Sequence, residues 1–215
     1  TATAHANAVT DWNAVTNQYV ATGRPGPIGL LDLALVQAAV HDAVQAIEGD
    51  YEPYYYSNAG QPGAGNPDAA VASASHRMLV LLYPGQQGAL DTAYDNYLAS
   101  NGLTGNPGLD VGEAAAASLF TQYRPPNPPA SFYGVSEPGQ WRSVVPMGFL
   151  QLAFTEPFTL NRADQFRPQP PPPMASQQYV REYNEVKAAG KSTAHPNANT
   201  EVARFWSVNF VAQWN

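Results

Sequence analysis

Residues 28–48 read Ile28-Gly29-Leu30-Leu31-Asp32-Leu33-Ala34-Leu35-Val36-Gln37-Ala38-Ala39-Val40-His41-Asp42-Ala43-Val44-Gln45-Ala46-Ile47-Glu48, and Gly49 follows. Leu31, Leu35, Ala38, Ala39, Val40, Ala43 and Ile47 recur at helical steps, and nothing in the run breaks a helix. Gly49 supplies the residue that most easily takes a left-handed closing conformation. The stretch is apolar nearly all round, which predicts a helix at the centre of a bundle. Asp32, Gln37, His41, Asp42 and Gln45 interrupt it, so it falls short of the roughly 18 consecutive apolar residues of a membrane span. It reads as a buried helix of a helical bundle, with no membrane span.

Working outward, the same period recurs on both sides. Val9, Trp12, Val15 and Tyr19 mark a helix over about residues 5–21, ended by Gly23, Pro25, Gly26 and Pro27. Tyr51, Tyr54, Tyr55, Tyr56 and the Gly/Asn/Pro run to Pro67 form a loop. Asn66-Pro67-Asp68 then joins a capping side chain, a proline fit for the first turn and an acid facing the helix dipole. A third helix follows over about 68–83, with Val71, Met78, Leu79, Leu81 and Leu82, up to Pro84-Gly85. A fourth, about 87–99, carries Leu90, Tyr94, Tyr97 and Leu98; a fifth, about 109–123, is alanine-rich and lets a neighbour come close. No stretch alternates with period two for long, so the fold class is all-α.

Composition changes after residue 123: residues 124–175 hold 12 of the 20 prolines. That density forbids helix and favours extended or polyproline backbone. Phe132, Tyr133, Trp141, Phe149, Phe154, Phe158 and Phe166 persist through it, more aromatic surface than a tether needs. The segment is expected to pack, irregular, across the bundle. Helix resumes over about 176–189 with Tyr179, Val180, Tyr183 and Val186, and again over about 199–213. Residues 1–215 thus read as a single helical domain. Phe205, Trp206, Phe210 and Trp214 crowd its close, where chain ends are normally polar, so the sequence looks cut. That face is expected to meet a missing C-terminal half or a second copy.

Charge and cysteine content set further bounds. Ten Lys+Arg stand against 17 Asp+Glu, a net charge of −7, and only Lys187 and Lys191 are lysines, which argues against a nucleic-acid surface. Cysteine is absent, excluding disulfides, thiolate metal sites and cysteine nucleophiles. The small-residue start, Thr1-Ala2-Thr3-Ala4, fits the end left by signal-peptide removal, and export is the expected location.

Few residues are arranged for chemistry. His5, His41, His76 and His195 fall at no metal-ligand spacing, and there is no HExxH. His41-Asp42 with Glu48 is the best acid/base group, since positions 41 and 48 share a helical face. It reads either as a buried base or metal ligand, or as polar side chains satisfied within the bundle. His76, between Ser75 and Arg77, reads as partly exposed; Asp91 with Asp95, and Glu182 with Glu185, read as solvated helix surface. Arg142, Arg162 and Arg167 could gather round an anion, or pair with Glu137, Glu156 or Asp164. There is no phosphate-binding glycine loop and no GxSxG nucleophile turn.

Several stretches, in order, resemble one family. They are Val9-Thr10-Asp11-Trp12-Asn13, Leu33 to Gly49, Tyr51-Glu52-Pro53-Tyr54, Pro138-Gly139-Gln140-Trp141-Arg142 and Pro157-Phe158. Asp164-Gln165-Phe166-Arg167-Pro168, Tyr183-Asn184-Glu185-Val186-Lys187, Phe205-Trp206 and Trp214-Asn215 complete the set. Together they resemble the N-terminal half of bacterial vanadium-dependent haloperoxidases, of the type-2 phosphatidic-acid phosphatase superfamily. The resemblance implies a large helical bundle and a vanadate cofactor that activates hydrogen peroxide for halide oxidation. In that family vanadate is held by a histidine nitrogen, cationic side chains, a serine and a glycine amide. They lie in a Lys…Trp-Arg-Pro stretch, a Ser-Gly-His motif, and a later Arg and His. None of these occurs here: Ser143 follows Trp141-Arg142, no lysine precedes Lys187, and Ser75 abuts His76 with no glycine between. No catalytic, cofactor-binding or metal residue is therefore carried over. The parent is expected to be a peroxidase, with phosphatase activity or a non-catalytic assembly module as alternatives, and this chain alone is expected to be inactive.

Overall fold

A computed structural model describes residues 7–24, 26–58, 64–123, 134–142, 149–190 and 198–207. Among them are seven α-helices and no strand: α1 Ala8–Gly23, α2 Pro27–Glu48, α3 Pro67–Leu82, α4 Gln87–Asn101, α5 Gly108–Gln122, α6 Gln177–Ala189 and α7 Ala198–Trp206. The all-α class and the order of helices expected from the sequence are as found. The expected start near residue 199 is found at Ala198, whereas the start near residue 5 and the close near 213 lie outside the described residues, as do His5, His195, Lys191, Phe210 and Trp214. Where the sequence reads as one domain, the contacts divide it into two compact units. One is Thr1–Arg124 with Asn209–Asn215, the other Pro125–Val208. The boundary falls where Pro125-Pro126 begins a run that cannot continue α5.

Local signals fix the ends of the first-unit helices. The Asn7 side chain accepts from Thr10 N (3.0 Å) and Thr10 Oγ1 accepts from Asn7 N (3.0 Å), a reciprocal cap that starts α1. Pro27 opens α2, and Gly49 closes it at φ 71°. Asn66 accepts from Asp68 N (2.8 Å) to start α3. Asn106 Oδ1 takes the amides of both Asn66 and Gly108 (2.9 Å each), tying the first turns of α3 and α5 together.

The hub of this unit is α3, not α2 as the apolar run of 28–48 suggests. Helix α3 touches α1, α2, α4 and α5, and ten of its 16 residues are buried, against nine of 22 in α2. Side-chain size is the reason. Ala69, Ala70, Ala72, Ser73 and Ala74 let α5 approach until a Cβ on Gly112 would lie 2.3 Å from the Ala70 carbonyl oxygen. Helix α2 lies one layer out, against α1, α3 and α5, with Leu30 44% exposed. By length and composition α2 could cross a membrane, although 44% of its most apolar window is buried within the protein. Around the hub, Trp12 of α1 is buried and meets the edges of Tyr94 and Tyr97 at 6.0 and 5.7 Å between ring centres.

The second unit holds a bridge between Gly134 and Arg142, a short 3-10 turn at Leu150–Phe154, and helices α6 and α7. Gly134 is required there: a Cβ would fall 2.0 Å from the Trp141 carbonyl oxygen. Ser176 caps α6, accepting from Tyr179 N (3.1 Å), as its position before the apolar face predicts.

Candidate functional site

The last two turns of α2 project His41, Asp42, Gln45 and Glu48 toward the tyrosine-rich loop that follows. Asp42 is fully buried, and its carboxylate accepts three consecutive backbone amides: Tyr54 N (2.5 Å) on Oδ1, Tyr55 N (2.9 Å) and Tyr56 N (2.7 Å) on Oδ2. His41 is exposed, and its Nε2–H donates to the Glu52 carbonyl at 3.0 Å. Gln45 Oε1 accepts from Tyr51 N at 2.7 Å. Five backbone groups of residues 51–56 are thus held by three side chains from little more than one turn of α2. Of the two readings open to His41-Asp42, the geometry supports side chains satisfied by structure: Asp42, not His41, is the buried member.

This grip shapes a cleft of about 710 Å³ between the end of α2 and the loop, with Glu48, Asp50, Tyr51, Glu52, Tyr56 and Asn58 on its walls. Tyr51, Tyr54 and Tyr55 are 74%, 42% and 48% exposed, although the backbone beneath them is fixed. Among the described residues no three His, Asp or Glu side chains come together in a way that could hold a metal ion.

His76 finds a partner the sequence does not announce. Its Nε2 lies 2.8 Å from Asp91 Oδ1 of α4, and its ring stacks on Tyr94 at 4.2 Å and 10°. Asp91 is therefore a partner of α3 and not simply solvated surface. Asp95 stays exposed, as expected. The adjacent Arg77 meets Glu113 of α5 at 2.9 Å. Burial pushes the Tyr94 hydroxyl above its ordinary range, and burial with the Asp11 charge pushes Tyr97 up to about 12.

A third cluster has no local sequence signal. Asp32, 1% exposed on α2, accepts the Tyr83 hydroxyl on Oδ2 at 2.6 Å across 51 positions. Arg24 Nε lies 2.9 Å from the same oxygen, a close ion-pair contact without a directed hydrogen bond. The guanidinium sits 5.1 Å over the Tyr83 ring and reaches the Leu82 carbonyl at 3.4 Å. Burial raises the Asp32 carboxyl above the usual carboxylate range, against the opposing pull of the Tyr83 bond and Arg24. Burial, then the Asp32 carboxylate, moves Tyr83 well above the phenol range and Tyr123 upward.

In the second unit, one of the three arginines of the proline-rich segment is seen paired with a carboxylate. Arg162 forms a two-point contact with Asp164 (Nε–Oδ1 and Nη2–Oδ2, 2.8 Å each), one of the three partners the sequence offers. That contact lowers the Asp164 carboxyl below its ordinary value. Arg142 is in the bridge with Gly134. Glu182 accepts from Gln178 Nε2 at 2.9 Å on the exposed face of α6.

A vanadate oxyanion would need an uncommitted histidine nitrogen amid converging cations. Here the two described histidines direct Nε2 to the Glu52 carbonyl and to Asp91, and Arg24, Arg77, Arg162 and Arg204 each face a carboxylate. These six side chains are thus engaged with protein partners. No family model matches the chain, and no curated protein and no solved structure matches it either.

Proposed function

We propose that this chain is the N-terminal helical part of a vanadium-dependent haloperoxidase-like oxidoreductase, supplying scaffold and leaving the oxyanion cradle to another segment. What carries the reading is the ordered set of stretches from Val9-Thr10-Asp11-Trp12-Asn13 to Trp214-Asn215, with Leu33 to Gly49 at its centre. The commitment of each ion-paired arginine to a carboxylate agrees with a scaffold role, because a cradle would keep its cations for the anion. On this reading the His41–Asp42–Gln45 grip is architectural: it orders a long loop on the helix that carries most of the resemblance. The chain alone oxidises no halide. An exported location belongs to the same proposal.

Sequencing the reading frame beyond codon 215 tests it. The account expects a Lys…Trp-Arg-Pro stretch followed by Ser-Gly-His; a stop codon directly after Asn215 overturns it. A phosphatase of the same superfamily would show itself as phosphate release by the full-length protein without halide oxidation.

A second reading, a non-catalytic assembly module, is favoured by α7, where Val202, Phe205 and Trp206 are 56%, 70% and 75% exposed. Light scattering separates it: concentration-dependent association supports the module, and a monomer that binds no apolar dye counts against it.

A further inference from the structure

The corner between α1 and α2 is held by one buried carboxylate whose two oxygens are used unequally. Asp32 Oδ2 takes both the Tyr83 hydroxyl and the Arg24 contact, while no described donor reaches the buried Oδ1. A proton can therefore settle on Oδ1 without displacing the Tyr83 bond. Arg24 is differently placed: its side chain is 40% exposed, and its remaining ties are a 3.4 Å bond to the Leu82 carbonyl and the Tyr83 ring face. Gly23, at the end of α1, lies so close to the same ring that a Cβ would sit 2.5 Å from Tyr83 Cε1. The groups that face Asp32 are thus Arg24 at the end of α1, Tyr83 at the cap of α3 and Tyr123 at the cap of α5.

We propose that this corner is an acid-released latch: proton uptake on Asp32 Oδ1 from solvent neutralises the carboxylate, frees the Arg24 guanidinium to water, and loosens the end of α1 from the cap of α3. The neutral acid keeps its bond from Tyr83, so the release is local and the bundle stays folded. The upward displacement of the Asp32 carboxyl by burial places the event above the pH at which an ordinary aspartate titrates. Local loosening and global stability then respond oppositely, since the same proton removes a buried charge.

The test uses the whole 215-residue chain, with the Arg24 Nε–H resonance and amide-exchange protection of Thr22, Gly23 and Arg24 followed from pH 7 to pH 3. Expected is a protection loss of at least threefold on acidification, moving with the Arg24 resonance, while helical circular dichroism stays unchanged. In D32N, which keeps an acceptor for Tyr83, both readouts should sit at the acid position already at pH 7 and show no further titration. Arg24→Gln gives an independent check: the Asp32 carboxyl carbon should titrate at higher pH once its cation is gone. Corner protection that is flat with pH, or that follows pH equally in wild type and D32N, overturns the latch. So does an unmoved Asp32 titration in R24Q.

Discussion

At the scale of single residues, two aspartates on one helix are buried for opposite reasons. Asp42 is surrounded by amide donors that need an acceptor, so its charge is matched where it lies. Replacing it with alanine leaves three amides of residues 54–56 to find water, and each buried unsatisfied group costs about 1–3 kcal/mol. Asp42→Ala should lower unfolding free energy in urea by about 2–4 kcal/mol, the upper figure being reached only if the loop cannot detach. Asp32 is poorly matched, which gives it the contrary pH sign. Its folded-state carboxyl binds a proton more tightly than in the unfolded chain, so its contribution is fullest below the ordinary aspartate range. That contribution is lost as pH rises through the folded-state value. Comparing Asp32→Asn with wild type, the stability difference in favour of the variant should grow with pH across that window; a shrinking difference would refute the assignment. Neither partnership was legible in the sequence. Nothing about Asp32 marks Tyr83, 51 positions away, and nothing about Asp42 tells that its acceptors will serve a loop rather than a substrate.

At the scale of elements, the helices were legible and their ranking was not. Periodicity, the Asn66-Pro67 start and the Gly49 stop are local signals, and α3 begins and α2 ends at them. Which helix occupies the centre depends on how near its neighbours can come, and apolarity does not report that. The small residues of α3 outweigh the larger apolar surface of α2, because α5 can pack against backbone. Gly112→Ala puts a methyl within 2.3 Å of the Ala70 carbonyl oxygen and 2.7 Å of Ala74 N, so α5 must move away. A loss of about 1–3 kcal/mol in urea unfolding is expected. Gly88→Ala in α4 meets nothing within 4 Å and should instead gain up to about 1 kcal/mol. The two substitutions change the chain by the same atoms, so the sign of the difference reads packing alone.

At the scale of the whole molecule, an acidic chain with few lysines places four of its arginines against carboxylates. In the first unit Arg24 and Arg77 bind carboxylates on neighbouring helices, and in the second Arg162 and Arg204 bind carboxylates two and three residues away. The sequence made the scarcity of cations plain and offered Asp164 as a partner for Arg162, but the pairings of Arg24 with Asp32 and Arg77 with Glu113 depend on contacts between helices that it does not carry. The absence of a motif that would gather such groups was visible from the start, in the missing glycine between Ser75 and His76 and in Ser143 after Trp141-Arg142. On the proposed scaffold reading, the chain should ignore the oxyanion itself. The most direct test is a ⁵¹V NMR titration of orthovanadate with the purified 215-residue chain near neutral pH. The account predicts a vanadate line unchanged in shift and width up to millimolar protein. Saturable broadening or a new bound line that is competed by phosphate would contradict it.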